Sequence, residues 1–265
     1  MNSLKNVYIM VDCEGISGIW HGMQLPPKGH RSEEGRRCMT RDINTVVAAC
    51  LACGAEKIAV RDCHGGGGTA IWDELSEGAE YIMGNTGEAR FYDLDAYDAV
   101  ILLGYHAMAG TLGGLLEHSD SPGVIQHYWL NGLEVGEIGL DAFNAGDHGK
   151  PVIMVSGDDY TCAETSALMP WAATAQVKKG LGLFGAQLLS VGAAKAELER
   201  AVADAFARWA DMEPLICEKP ATIRVEVTNR SSLPWVAGKP YLRIINGNTF
   251  EVDGDTVNEA FFRTI

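Results

Sequence analysis

The sequence predicts an α/β fold in which a largely parallel or mixed central sheet is flanked by helices and followed by a smaller C-terminal α+β lobe. Three observations indicate this class. Short apolar runs alternate with longer helical or irregular segments, as in chains that build parallel sheets. Several of these runs end directly at polar residues, and after Pro220 the pattern changes to alternating β-type residues.

Strand and helix alternate in the first part of the predicted fold. The apolar runs that predict strands lie at residues 7–11, 57–60, 99–103 and 152–155. A helix is predicted over residues 39–53 and ends at Gly54, because glycine readily adopts the backbone conformation that closes a helix. Ligands of such sheets bind beyond the carboxyl ends of the strands, so the residues after each strand are the site candidates.

Two further segments of this region carry local signals. Residues 124–130, followed by Asn131-Gly132, predict an additional strand and turn, which would make the sheet mixed. Asp158 and Asp159 precede a helical stretch at residues 160–168, where a helix N-cap is the expected role.

The C-terminal part is predicted to form a smaller lobe. It contains an Ala- and Glu-rich helix at residues 193–209 and strands near residues 222–227 and 249–252. We therefore divide the chain into a metal-binding catalytic domain at residues 1–170 and a C-terminal lobe at residues 171–265.

The composition excludes several classes of function. The chain has 265 residues and a formal net charge of -14, so it would repel nucleic acid. No apolar run reaches the roughly 18 residues of a membrane span, and the start runs directly into a strand, which favours a cytoplasmic protein. The seven cysteines suit reduced thiols rather than a disulfide framework. Cys50 and Cys53 form a single CxxC within a helical stretch, where packing is the expected role.

Carboxylates and histidines follow three of the predicted strands. Asp12 and Glu14 share a face if the strand conformation persists, and a divalent cation would relieve their repulsion, although alone they would equally suit a solvated pair. His64 and His106 follow two other apolar strands, and zinc favours such nitrogen and oxygen donors. Glu137, an acid within an otherwise apolar stretch, is a fifth candidate.

These candidates lie within short motifs that are spread over most of the chain. The motifs are VDCEGISG at residues 11–18, DCH at 62–64, LGYHA at 103–107, EHS at 117–119, VGEIGL at 135–140 and SGDD at 156–159. In this order they resemble the D-aminopeptidases of dipeptide-transport operons, a family of zinc metallopeptidases. Several separated motifs in the right order are a stronger signal than any one of them.

The resemblance implies a dinuclear zinc site. Its five ligands would be Asp12, Glu14, His64, His106 and Glu137. Asp12 would bridge two zinc ions per chain, with Glu14 and His64 completing the first site and the other two residues the second. His118 matches the family's catalytic histidine and would act as acid or base, oxyanion stabiliser or nucleophile.

The resemblance also implies a substrate and an assembly. The expected activity is removal of N-terminal residues, D-amino acids by preference, from short peptides, in a cytoplasmic homodecamer that scavenges peptides through an enclosed channel. Residues 65–68, a glycine run, depart from the family pattern beside His64, so an L or broad preference stays open. The alternatives are a dinuclear metal amidase or phosphoesterase and, last, a catalytically silent binding protein.

Overall fold

The computed structural model describes residues 3–27 and 29–264 and has the predicted α/β class, with a six-stranded and a five-stranded sheet. The larger sheet contains β1 (Asn6–Val11), β2 (Lys57–Asp62), β3 (Glu80–Ile82), β4 (Ala99–Leu103), β7 (Val152–Gly157) and β8 (Ala173–Gln176). The smaller sheet contains β5 (Ile125–Leu130), β6 (Leu133–Val135), β11 (Ala221–Val227), β12 (Leu242–Ile244) and β13 (Thr249–Gly254). A short hairpin pairs β9 (Lys178–Gly180) with β10 (Ala186–Leu188). The helices are α1 (Ser32–Ala52), α2 (Glu137–Asp147), α3 (Asp159–Leu168), α4 (Val191–Arg208) and α5 (Val257–Phe262).

The larger sheet is parallel throughout its recorded pairings and has the order β3-β2-β1-β4-β7-β8. The chain builds outward from β1 in one direction through β2 and β3, and in the other through β4, β7 and β8. The reversal falls between β1 and β4. In open α/β sheets a ligand crevice forms at such a reversal, beyond the carboxyl ends of the strands.

Helices cover both faces of this sheet because successive strand side chains point to opposite sides. Val7 and Ile9 of β1 pack in a core formed with α1 and α4. Tyr8 and Met10 point the other way and share a second core with Ile138 of α2. With both faces buried, the strands are apolar along most of their length and present polar side chains at their ends.

The segment at residues 124–130 forms a strand, but the expectation that it makes the main sheet mixed is wrong. It is β5 of the separate antiparallel sheet, where it pairs with β11 and β6. Only part of its surface is buried, as suits a sheet with one solvated face. The hydrophobic pattern predicted the strand correctly and carried no information about its partner.

The two sheets do not follow the predicted boundary at residue 170. Strand β8 and helix α4, which come after it, pack with the parallel sheet, whereas β5 and β6 come before it and belong to the antiparallel sheet. The alternation after Pro220 identified local strands, and the chain crosses between the layers more than once.

The helices are longer or more numerous than the pattern indicated. Helix α1 begins at Ser32 rather than at the predicted Met39. The prediction missed its first turns because they are charged and lack an apolar stripe. Helix α2 was not predicted. It begins at Glu137, and its glycines and alanines obscure the helical period. In the described part of the chain, no helix is long and apolar enough to span a membrane.

Candidate metal centre

The candidate site lies where the carboxyl ends of β1, β2 and β4 meet. The loop after β1 is held against the loop after β4 by two backbone hydrogen bonds, from Asp12 N to Leu103 O at 2.9 Å and from Gly15 N to Gly104 O at 2.7 Å. A Cβ at Gly15 would lie 1.8 Å from the carbonyl oxygen of Tyr105, so only glycine permits this approach. The glycine of the first motif therefore brings the carboxylates close to His106.

Two clusters of possible metal ligands form at this edge. Asp12, Glu14 and His64 offer donor atoms that all lie within 4.8 Å of one another. His106, His118 and Glu137 form a second cluster by the same measure. The structure thus brings together all six residues predicted from the sequence.

Asp12 lies between the two clusters. Its Oδ1 is 3.0 Å from Nδ1 of His64, and its Oδ2 is 3.4 Å from Nε2 of His106. Glu14 Oε2 lies 3.2 Å from the same nitrogen of His64, and Glu137 Oε1 lies 3.1 Å from the same nitrogen of His106. The carboxylate of Asp12 therefore has one oxygen toward each cluster.

Each histidine has its other ring nitrogen beside a backbone carbonyl. His64 Nε2 is 3.2 Å from Pro26 O, His106 Nδ1 is 3.0 Å from Ala107 O, and His118 Nδ1 is 2.8 Å from Leu116 O. A carbonyl only accepts hydrogen bonds, so these nitrogens carry the protons. In the neutral rings the remaining nitrogens then offer lone pairs to the clusters, as in metal-bound histidines.

The electrostatics of the site require positive charge. Burial alone would raise the pKa of Asp12, but the adjacent imidazole rings of His106 and His64 hold it well below its usual range. Burial would lower the pKa of His64, yet Glu14 and Asp12 together raise it to about 12. For Glu137, the opposing charge of His106 outweighs burial and lowers the pKa to about 2. Asp12 and Glu137 are thus ionised and are compensated either by imidazolium rings or by cations.

Buried polar atoms without hydrogen-bond partners favour cations over imidazolium rings as the compensating charge. Glu14 Oε2 and His106 Nε2 are buried and have no hydrogen-bond partner among the described residues. Buried polar atoms without partners are costly, and a lone pair directed at a carboxylate oxygen is repulsive unless a cation lies between them. The donors are carboxylate oxygens and imidazole nitrogens, a set that suits zinc and related divalent metals.

Within the second cluster, His118 contacts both of the other members. Its ring stacks on that of His106 with centroids 3.9 Å apart, and its Nε2 is 3.7 Å from Glu137 Oε1. Glu137 is oriented by the backbone N–H of Asp120, which donates to Oε1 at 2.7 Å. His118 is therefore placed either to bind a metal or to act on a substrate beside it.

Sequence reasoning missed one supporting residue, Lys178. Its buried ammonium donates to the backbone carbonyls of Glu14, Ile16 and Ile19 at 2.6, 2.8 and 3.0 Å. These three hydrogen bonds hold the loop that carries Glu14 in place. Lys178 is the first residue of β9 and directly follows the apolar Val177, which was the available signal in the sequence. A lysine is rarely fully buried unless it is paired.

Asp158 caps α3 as expected, and its Oδ1 accepts from Thr161 N at 2.8 Å. Its Oδ2 also accepts from Leu115 N at 2.8 Å, three residues before His118. The cap thus also positions the loop that carries His118.

A cavity of about 680 Å³ opens over both clusters. Gly65 and Gly66 of the glycine run line it beside His64. Leu183, Phe184 and Phe261 supply apolar walls. This size is typical of pockets that hold small ligands.

A parallel sheet with paired carboxylate and histidine clusters at its strand reversal is the architecture of an α/β metallohydrolase. The family model for D-aminopeptidases, peptidase family M55, matches residues 5–264. The chain therefore belongs to the D-aminopeptidase family, and it is a peptidase of the aminopeptidase class.

Two relatives support this assignment. The chain is 31% identical over 245 residues to a D-aminopeptidase of Bacillus subtilis (strain 168), covering 92% of this chain and 89% of the relative. Its fold matches the solved structure of the Zn-dependent D-aminopeptidase DppA from Bacillus subtilis, described as a self-compartmentalizing protease, with a TM-score of 0.92. That match has 29% identity and covers 97% of this chain and 94% of DppA.

Proposed function

We propose that this chain is a two-zinc aminopeptidase that releases N-terminal residues from short peptides and prefers D-residues to L-residues. The position of Asp12 carries the proposal, because its two oxygens are directed to two different clusters of ligands. Membership of the family supports the aminopeptidase activity, and the Zn-dependent relative supports zinc.

The ligands divide between two ions. Asp12 would bridge them, Glu14 and His64 would complete the first site, and His106 and Glu137 would complete the second. Each zinc then has three protein donors, which leaves coordination positions for water or substrate. When bound, the two ions supply Lewis acidity that activates water and polarises the carbonyl of the scissile bond.

We assign His118 to proton transfer during the reaction. Its Nδ1 proton is held by Leu116 O, so in the neutral ring Nε2 can accept a proton, and it faces the cavity edge beside Glu137. We assign it to receive a proton during attack and to return it to the leaving amine. The hydrogen bond that Nδ1 donates to Leu116 O also fixes the plane of the ring.

The same proposal covers the setting of the enzyme. We infer a cytoplasmic homodecamer that encloses its active sites and scavenges short peptides, since DppA is described as self-compartmentalizing. Sedimentation at ten times the monomer mass would support this assembly, and a monomer at micromolar concentration would contradict it.

Matched D and L peptides test the proposed activity. We expect kcat/KM for D-Ala-D-Ala and D-Ala-Gly-Gly to exceed that of the L counterparts, because the cavity walls decide which side of the α-carbon carries the side chain. N-acetylated D-Ala-D-Ala is the control and should resist cleavage. An L preference across several side chains would overturn the D assignment alone. Cleavage of cyclic amides or a phosphodiester in place of free-amine peptides would overturn the aminopeptidase assignment.

A further inference from the structure

A buried arginine lines the cavity beside the metal ligands and forms no ion pair with any residue that the structure describes. Arg61 lies in β2, one residue before the strand ends, in register with Met10 of β1. Its side chain borders the same cavity as Asp12 and His64, and the residue is only 9% exposed. Within residues 3–27 and 29–264, its buried Nε and Nη1 have no hydrogen-bond partner.

A second arginine of the same cavity, Arg90, has its charge compensated by a carboxylate of the protein. Arg90 is held by both oxygens of Asp141, with Nε to Oδ1 and Nη2 to Oδ2 at 2.8 Å each. The hydroxyl of Tyr105 donates to the same carboxylate at 2.5 Å. Arg90 is thus neutralised within the protein, whereas Arg61 keeps an uncompensated guanidinium at the cavity wall. Burying such a charge is costly unless a partner arrives from outside the chain.

We propose that Arg61 binds a carboxylate of the substrate, either the C-terminal carboxylate of a short peptide or an acidic side chain close to the scissile bond. This assignment rests on the proposed peptidase function. A guanidinium matches a carboxylate with two parallel N–H···O bonds, so the unpartnered Nε is a donor suited to an anion of that shape.

The charges around the cavity support a zwitterionic substrate. Glu117 and Asp120 line it and belong to neither of the proposed zinc sites, so these two carboxylates suit a free amino group. Arg61 contributes charge of the opposite sign. A short peptide carries its ammonium and carboxylate groups only a few residues apart, at roughly 3.5 Å per residue, which a cavity of this size can span. Arg61 would therefore favour short peptides over long ones.

Matched acid and amide substrates test the role of Arg61. Arg61→Met removes the guanidinium but keeps an unbranched side chain. The wild type should cleave D-Ala-D-Ala with a kcat/KM roughly 10- to 100-fold above that of its C-terminal amide, as expected for a charged hydrogen-bonded pair. In Arg61→Met the two values should converge, through a higher KM for the free acid with kcat nearly unchanged. Lys57→Met, which removes a cation from the opposite end of β2, should retain the discrimination.

A third substrate separates the two sources of the carboxylate. D-Ala-D-Glu amide has an acidic side chain and no C-terminal carboxylate. If Arg61→Met lowers kcat/KM for this peptide, Arg61 binds an acidic side chain of the substrate. If Arg61→Met lowers kcat/KM for D-Ala-D-Ala alone, Arg61 binds the C-terminal carboxylate. If Arg61→Met leaves kcat/KM unchanged for both D-Ala-D-Ala and D-Ala-D-Glu amide, the proposal is overturned.

Two further measurements keep the proposal apart from protein folding and from the proposed function. Because Nε and Nη1 of Arg61 have no hydrogen-bond partner in the described part of the chain, Arg61→Met should unfold at the same temperature as the wild type or higher. A lower unfolding temperature with equal loss on acid and amide would show a structural role and overturn the proposal. If no peptide is cleaved at all, the proposed function fails. Calorimetric titration with D-Ala-D-Ala then still judges Arg61, since binding should weaken 10- to 100-fold in Arg61→Met, and equal binding would overturn the proposal.

Discussion

The roles of the three histidines of the site follow from the partners of their two ring nitrogens. His64, His106 and His118 all have one nitrogen beside a backbone carbonyl, which leaves the other for the cluster. This arrangement fixes the tautomer of each neutral ring, as it does for metal ligands. His118 differs from the other two in its contacts, because it approaches only Glu137 and none of the atoms of Asp12 within ion-pair distance.

Replacing the two stacked histidines separates their roles. His118→Ala should keep the metal content and lower kcat by at least ~100-fold, because a proton-transfer residue typically contributes that much. His106→Ala should lose one metal as well as activity, since its Nε2 lies between Asp12 and Glu137. His127→Ala, at a histidine paired with Glu134 on β6, is the control and should change neither. Equal metal loss in the first two variants would show that His118 is a ligand.

At the scale of elements, the loop between β1 and α1 depends on two buried charged residues. Lys178 of β9 donates to three of its carbonyls, at Glu14, Ile16 and Ile19. Asp42 of α1 accepts from the backbone N–H and hydroxyl of Ser17, both at 2.7 Å. The loop that carries Asp12 and Glu14 is therefore anchored by neighbouring elements rather than by its own hydrogen bonds alone.

Lys178→Met should destabilise the fold and weaken metal binding together. It leaves the carbonyls of three residues without their buried donor, at a cost on the order of 3 kcal/mol or more. Urea unfolding measures the free energy, and zinc retention against a chelator measures the metal affinity. Lys179→Met, at the exposed neighbour, should stay within about 0.5 kcal/mol of the wild type. Similar behaviour of both variants would show that Lys178 does not support the loop.

Asp42 gives the fold a dependence on pH. Burial raises the pKa of Asp42 from 3.8 to about 6, so between these values the folded state binds more protons than the unfolded state. The stability that this proton provides is present at low pH and is lost as the pH rises toward 6, in total about 3 kcal/mol.

Asp42→Asn removes this titration and resembles the protonated side chain. The difference in unfolding free energy between Asp42→Asn and the wild type should therefore shift by about 2.5 kcal/mol in favour of the variant between pH 4 and pH 7. Asp73→Asn, at an exposed position, should show no comparable shift. A constant difference across this range for Asp42→Asn would mean that Asp42 is ionised throughout.

For the molecule as a whole, the sequence predicted the strands of the parallel sheet and the candidate ligands by one physical rule. Strands buried on both faces are apolar, so Asp12, His64 and His106 stand out where these strands end. Sheet partners and buried cations did not follow from local patterns. The placement of β5, the helix that begins at Glu137 and the anchoring by Lys178 depend on contacts between segments distant in sequence.

The number of zinc ions per chain tests the account most directly. The two clusters, with one oxygen of Asp12 toward each, predict close to two zinc ions per chain in the purified protein, measured by elemental analysis against protein concentration. Asp12→Ala should fall well below one, because both sites lose the same carboxylate. A wild-type content near zero, in protein that still cleaves peptides in the presence of a strong chelator, would contradict the account.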